Sequence, residues 1–271
     1  MGTETIIRAD QRGLALGEAF SRRELLYFLV LRDIKIRYKQ TTLGIVWAVL
    51  VPVVQLVVFT LIFGRVAGLR PDGDYPYPLF LLAGLVPWTF FAQAVTQGSQ
   101  SLVNQQQMLT KVYFPRLFMP AAAVGGLFVD LLISCLVYVC VLAWFRFLPP
   151  WQVVFAPLFL FQTLFAATGA VLLLSAITVV YRDFRYVIPI AVQVLMFASP
   201  IVYSVSLLPP EYQWVFALNP MVGPIDGLRS AILGKPWNVT AIAISAASSV
   251  VLFVIGLAYF RKTERRFADI A

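Results

Sequence analysis

Six long apolar segments dominate this 271-residue sequence. Most of them reach or exceed the roughly 20 residues that an α-helix needs to cross the hydrocarbon core of a bilayer. Hydrophobic residues make up 60% of the chain and charged residues only 13%, whereas a soluble domain carries about a quarter charged residues. The sequence therefore predicts an all-α integral membrane protein with six transmembrane helices: 44–63, 79–97, 117–145, 153–181, 187–203 and 239–260.

The positions of lysine and arginine predict the topology. Basic residues are concentrated before the first segment, after the second, after the fourth and after the last. The positive-inside rule then places both termini in the cytoplasm, with a tail at 1–43, a transmembrane domain at 44–260 and a second tail at 261–271. The net charge of +8 fits contact with anionic lipid of the cytoplasmic membrane better than contact with nucleic acid.

An amphipathic helix is predicted just before the first transmembrane segment. Its apolar residues recur at helical spacing: Tyr27, Val30, Leu31, Ile34 and Tyr38. Arg32 and Lys35 fall on another face, so we expect the helix to lie in the cytoplasmic interface. It serves either as a positive anchor that fixes the topology or as a docking surface for a cytoplasmic partner, and the two roles are compatible.

The segment 205–238 is too polar and too rich in proline to cross a membrane. Two short helical patterns, 211–218 and 225–233, lie between its prolines. We expect these helices to form an interfacial or re-entrant cap on the outer face.

The sequence lacks the residues of most catalytic sites. It contains no histidine, which removes the commonest general base and metal ligand. Its Gly234–Lys235 pair precedes a proline and lacks the upstream glycine of a Walker loop, so we expect no nucleotide hydrolysis and no cofactor in this chain. Asp130, an acid within the third segment, is interpreted as a helix-packing hydrogen bond, a proton relay or the polar wall of a conduit.

Polar and aromatic residues within the apolar segments are candidates for lining a conduit. Trp88, Phe90 and Phe91 fit a sugar-binding strip, because aromatic faces stack on sugar rings, with lipid contact as the alternative. A hydroxyl-rich polymer needs a path that replaces its water. One copy has few polar residues in its segments, so we expect that path between two copies, lined by Gln55, Trp88, Phe91, Gln97 and Gln193.

A set of short motifs in this order resembles the permease subunit of polysaccharide-exporting ABC transporters, which move O-antigen and teichoic acid precursors. The resemblance runs from about residue 20 to the end of the chain. It rests on RDIKIRYKQTTLGIVWAVLVP (32–52), FGRVAG (63–68), PYPLFLLAGLVPWTFF (76–91), LTKVYFPR (109–116), YRDFRYVIP (181–189), SPIVY (199–203), LNPM (218–221) and GLR (227–229).

The resemblance implies a homodimer in which each copy docks on a separate ABC ATPase subunit that binds ATP and Mg²⁺. It implies an undecaprenyl-diphosphate-linked glycan as the substrate. The amphipathic helix and a coupling helix at 104–116 would contact the ATPase through Arg32, Lys35, Asn104, Gln107, Lys111, Tyr113 and Arg116.

Two further sets of residues take roles from the same resemblance. The first is a cytoplasmic turn formed by Tyr181, Arg182 and Asp183. The second is an outer gate formed by Glu211, Trp214, Asn219, Pro220 and Arg229.

Three functions are compatible with the sequence. An ABC exporter comes first, with a drug or another lipid as the alternative cargo. A membrane lipid-sugar transferase would need clustered acids, whereas Asp72, Asp74, Glu211 and Asp226 are scattered along the sequence. An ion-coupled carrier would need paired intramembrane charges, which the segments do not supply.

Overall fold

The structure is a computed structural model that describes residues 23–39, 45–105, 115–207 and 209–264. Within these ranges the chain is almost entirely helical and contains no β-strand. The all-α prediction is confirmed.

Eleven α-helices follow one another in the described ranges. They are α1 (Arg23–Lys39), α2 (Ile45–Phe59), α3 (Tyr77–Gly98), α4 (Ser101–Asn104), α5 (Phe118–Gly126), α6 (Phe128–Trp144), α7 (Ala156–Val180), α8 (Phe184–Phe197), α9 (Pro210–Ala217), α10 (Val222–Leu233) and α11 (Val239–Glu264). A π-helical turn, Thr60–Val66, extends α2, and 3₁₀ turns occur at Trp151–Phe155 and Val205–Leu207.

Five helical segments are long and apolar enough to cross a membrane. These are Val46–Val66, Tyr77–Gly98, Phe118–Trp144, Trp151–Val180 and Val239–Glu264. They match five of the six predicted segments, and the protein is a multi-pass membrane protein.

The fifth predicted segment, 187–203, is not a complete transmembrane helix. Helix α8 has 14 residues and ends at Phe197, so it rises about 21 Å, less than the ~30 Å hydrocarbon core. Pro200 explains the early end, because a proline disfavours helical geometry in the residue before it and cannot donate a backbone hydrogen bond. Residues 198–204 continue as turns.

Helix α3 is the centre of the protein. Most of its residues are buried, and α6, α7, α8 and α10 pack around it. Helix α10 is buried along its whole length, Val222–Leu233. By contrast, only 6% of the most apolar part of Val46–Val66 is buried, so α2 presents its apolar surface to lipid or to another protein chain.

Helix α1 lies along α5, and two glycines permit the close packing. A Cβ atom at Gly125 would lie 2.8 Å from Cγ2 of Val30, and one at Gly126 would lie 3.2 Å from Cβ of Asp33. The packed face contains the buried Leu29, while Tyr27 of the predicted apolar stripe is 61% exposed. Of the predicted apolar stripe, Val30 therefore packs on α5, whereas Tyr27 remains exposed.

Helices α7 and α11 pack against each other over most of their length through a second glycine pair. A Cβ atom at Gly169 would lie 2.7 Å from the backbone of Phe253, and a methyl group at Gly256 would overlap the carbonyl oxygen of Gly169. Small residues of this kind bring membrane helices into close contact.

The substitution Gly256→Ala is therefore expected to destabilise the protein by about 1–3 kcal/mol, because the added methyl group separates two helix backbones. The matched control is Val254→Ala, at a residue of the same helix that is 58% exposed. Thermal unfolding of the purified protein in detergent, followed by tryptophan fluorescence, measures both. Equal midpoints for the two variants would contradict the packing argument.

Candidate functional site

A charged junction joins α1 to the transmembrane helices. Arg37 Nη1 donates a hydrogen bond to Oδ2 of Asp130, and the hydroxyl of Tyr38 donates to Oδ1 of the same carboxylate. Arg37 Nη2 also donates to the side-chain oxygen of Gln97. The two ionised side chains are 29% and 17% exposed. Asp130 at the start of α6 therefore has a cationic partner, and one helix end contacts both α3 and α6.

The sequence interpretation missed this partner. The apolar segments supply no Lys or Arg for Asp130, because Arg37 lies before the first segment, in the last turn of α1. The sequence shows a cation and a hydroxyl donor side by side at Arg37 and Tyr38, but not the acid that both of them bind.

Tyr38 acts as a donor in this junction. Burial, the hydrogen bond to Asp130 and the charge of that carboxylate together raise the pKa of the Tyr38 phenol above its ordinary value. The hydroxyl keeps its proton at any physiological pH and so remains a hydrogen-bond donor to Asp130.

Arg32 ties α1 to the segment that follows α4. Its guanidinium donates to Asp33 Oδ1 from Nε at 3.0 Å and from Nη2 at 2.9 Å, and Nη2 donates to Oε1 of Gln105 at 2.8 Å. Asn104 ends α4 next to this contact, and Lys35 points outward and is exposed.

Arg116 makes a comparable tie at the start of the third span. Its guanidinium donates to the carbonyl oxygen of Glu264 at the end of α11. Of the predicted coupling residues, Gln107, Lys111 and Tyr113 lie outside the described residues. The coupling role of the whole set stays a prediction.

Two cavities with mixed polar and apolar walls flank the charged junction. The first, of about 260 Å³, lies between α1, α2, α3 and α6 and is lined by Arg37, Tyr38, Gln55, Gln93 and Asp130 among others. The second, of about 490 Å³, lies beside the last turn of α3 and is lined by Arg37, Gln97, Gln100, Asn104 and Gln105 among others. Arg37 contributes to both linings.

The predicted conduit residues are distributed over three environments. Gln55 lines the smaller cavity and Gln97 the larger one. Gln193 is exposed on α8. Trp88 and Phe91 are each 3% exposed and pack against each other with ring centroids 5.8 Å apart. Burial within one subunit leaves neither ring free to form an accessible strip.

At the other end of the protein, Arg229 of α10 is completely buried. Its guanidinium lies 3.5 Å from the ring centroid of Phe80. It donates to four backbone carbonyl oxygens, those of Phe80, Pro200, Ile201 and Tyr203. Three of these carbonyls belong to the turns after α8, where no continuing helix pairs with them. The predicted gate residue thus holds a non-helical segment inside the protein.

Lys235 forms ion pairs with two carboxylates near Arg229. Its Nζ atom lies 3.2 Å from Asp72 Oδ2, 3.0 Å from Asp226 Oδ1 and 3.0 Å from Ser204 Oγ. Two acids that are far apart in the sequence therefore meet at one lysine. Both carboxylates are ion-paired with that lysine. A transferase would instead need acids that are free to act on a substrate.

The environment of Asp72 favours its charged form. Burial alone would raise its pKa, but hydrogen bonds from Ser204 and Ser206 and the charge of Lys235 together outweigh burial and lower the pKa below the usual aspartate value. Asp72 remains ionised at neutral pH, and the loop before α3 stays attached to the segment after α8.

The remaining predicted residues are exposed or bound locally. Glu211 and Trp214 are exposed on α9. Asn219 donates to Ser199 Oγ at 2.8 Å and accepts from the backbone N–H of Met221, and Pro220 follows it in the same turn. The turn residues Tyr181, Arg182 and Asp183 are exposed.

These features define a multi-pass helical membrane protein with charged contacts at both ends of its helix bundle. The chain belongs to the ABC-2 type transporter family, whose sequence pattern matches residues 24–233. That match covers α1 through α10, so the charged junction, both cavities and the buried Arg229 fall within the family region.

Three relatives are similar over nearly the whole chain. An O-antigen export system permease protein RfbA of Myxococcus xanthus is 28% identical over 256 residues, which cover 93% of this chain and 97% of that protein. A Klebsiella pneumoniae RfbA is 27% identical over 248 residues, 91% of this chain and 95% of that protein. The polysialic acid transport protein KpsM of Escherichia coli is 27% identical over 247 residues, 87% and 92% respectively.

The charged junction is expected to behave as one unit. Arg37→Gln and Asp130→Asn should each lower the thermal unfolding midpoint, and the double variant should be no worse than the poorer single one, since a direct pair gives a coupling of about 0.5–3 kcal/mol. Lys35→Gln, on the same helix but exposed, is the control. Additive losses would show that the two side chains stabilise the protein independently.

Arg229→Lys is expected to destabilise the protein despite conserving the charge. A lysine ammonium cannot reach four carbonyl oxygens from one planar group, and each buried carbonyl left without a donor costs about 1–3 kcal/mol. Arg146→Lys, at an exposed position, makes the same chemical change without this loss. Unfolding midpoints in detergent compare the two, and a parent-like Arg229→Lys variant would contradict the assignment.

Proposed function

We propose that this chain is the transmembrane permease subunit of an ATP-driven exporter that moves a lipid-linked polysaccharide across the cytoplasmic membrane. The observation that carries the proposal is its similarity, over about nine-tenths of its length, to permeases named for O-antigen export and polysialic acid transport. The substrate is an undecaprenyl-diphosphate-linked glycan, and both termini lie in the cytoplasm.

ATP hydrolysis is assigned to a separate ABC ATPase subunit. The sequence contains no Walker loop. The related permeases are transport subunits, and their ATPase activity belongs to a separate subunit. The ATPase docks on α1 and on the 104–116 segment. The contacts of α1 favour this arrangement, because Arg37 reaches Gln97 of α3 and Asp130 of α6. A displacement of α1 is therefore passed directly to α3 and α6.

A second copy of the same chain completes the transporter. Helix α2 and its π-helical extension expose many valines and leucines along their length, and a partner copy covers part of this surface. Helices α8, α9 and α10 together supply the sixth crossing, in which the short α8 is followed by a re-entrant pair. Arg229 supports this arrangement because it satisfies the carbonyls of the connecting turns.

The proposal is tested by deleting this chain in a cell that carries the whole export system. We expect surface polysaccharide to disappear and undecaprenyl-diphosphate-linked glycan to accumulate, and we expect the tagged chain to purify with an ABC ATPase. A partner ATPase variant that cannot hydrolyse ATP should reproduce the accumulation. Normal surface polysaccharide combined with lost efflux of a drug or another lipid would replace the proposed cargo.

A further inference from the structure

The smaller cavity beside Arg37 has the properties of a ligand site. It lies between α1, α2, α3 and α6, and its lining includes Trp47, Gln55, Thr89, Gln93 and Ser134 together with the Arg37–Asp130 pair. Gln55 Oε1 is a buried acceptor with no hydrogen-bond partner among the described residues. A buried polar atom of this kind calls for a donor from a ligand or from water.

The chemistry of the lining selects a neutral, hydroxyl-bearing ligand. The charges of Arg37 and Asp130 cancel within the wall, so the cavity offers no excess positive charge to a phosphate, and Asp130 would repel one. An acyl chain would leave the amides of Gln55 and Gln93 unpaired, at a cost. A hydroxyl group both donates and accepts, which matches the amides, hydroxyls and carboxylate of the wall. The apolar C–H face of a sugar ring matches the rest of the wall, which includes Ala48, Val51 and Pro52.

The size and the aromatic edge point to a single sugar ring. The volume of about 260 Å³ is just below the range of sites for drug-sized ligands. Trp47 borders the cavity and is 50% exposed, so one face of its indole is free to stack. The larger cavity adjoins through Arg37 and is lined by Gln97, Gln100 and Gln105, which gives neighbouring sugar units further amide partners.

We propose that this cavity binds one neutral sugar unit of the exported glycan within a single subunit. The inference rests on the proposed function and adds a location to it. The recognised group is the hydroxyl-rich ring rather than the lipid diphosphate. Gln55 and Gln93 position the ring, and Trp47 stacks on it.

The test uses the complete transporter, with its ATPase, in lipid nanodiscs. Gln55→Cys and Gln93→Cys are placed separately in a background in which Cys135 and Cys140 are replaced by alanine. Leu148→Cys, in a loop where that residue is 90% exposed, is the control. Labelling by a water-soluble maleimide is measured with no addition, with undecaprenyl diphosphate, and with undecaprenyl diphosphate carrying one N-acetylglucosamine.

Each cysteine variant keeps the other glutamine and Trp47, so the site still fills when the lipid is saturating. At saturating lipid we expect the sugar-bearing form to slow labelling at positions 55 and 93 at least fivefold, while the sugar-free lipid and the control position show no change. Equal protection by both lipids would overturn the sugar assignment in favour of the diphosphate. No protection by either lipid would overturn the site.

A parallel export assay separates this inference from the proposed function. Surface polysaccharide produced by the cysteine-free parent, combined with unprotected positions 55 and 93, refutes the cavity but leaves the exporter intact. A parent that exports no polysaccharide in its own cell refutes both. Gln55→Ala combined with Gln93→Ala adds a second measurement: the concentration of sugar-bearing lipid needed for half-maximal ATPase stimulation should rise about tenfold, and an unchanged value contradicts the site.

Discussion

The buried guanidinium of Arg229 is the interaction on which the arrangement of α3, α8 and α10 depends. Backbone that leaves helical geometry inside an apolar bundle exposes carbonyl groups that water cannot reach. The turns after α8 contain three such carbonyls, and Arg229 donates to all of them and to one in α3. Because the donor belongs to α10, the turns, the central helix and the buried α10 hold one another in place.

The two ends of the bundle use charge in different ways. Arg229 and Asp226 are completely buried and Lys235 is 12% exposed, and these groups bind backbone or several partners, which fixes one geometry. At the other end, Arg37 and Asp130 are partly exposed and lie between two cavities. A partly hydrated pair costs less to separate than an enclosed one. Movement of α1 is therefore less costly than movement of α10.

The sequence predicted the helices well because hydropathy and proline positions act locally. Five spans and the two short helices near 210–233 follow from such signals. The end of α8 at Phe197 was predictable in principle from Pro200. The apolar run continues past that proline to Tyr203, however, so hydropathy alone predicted a longer helix. The charged contacts were not predictable, since Asp72 meets Lys235 and Arg37 meets Asp130 only after helices distant in the sequence have packed.

The sequence also could not predict which aromatic residues are accessible at the candidate site. Trp88 and Phe91 have the composition of a sugar-binding strip, yet the helical face that carries them turns into the core. Hydropathy cannot distinguish a face that contacts protein from one that contacts lipid or a conduit, because all three are apolar. The polar residues were more informative. An amide within an apolar helix needs either a partner on another helix or a polar cavity. Gln55 and Gln93 both lie at a cavity wall.

The position of Arg37 links the cavity physically to α1, the helix proposed to dock the ATPase. The same side chain forms part of both cavity walls and anchors the last turn of α1 to Asp130 and Gln97. Any ligand that binds the wall better in one position of α1 than in another must, by thermodynamic reciprocity, shift α1 toward that position. If an ATPase docks on α1 as proposed, a displacement of that helix would in turn change the affinity of the cavity. No separate relay is needed, because the anchor of the helix and the wall of the site are one residue.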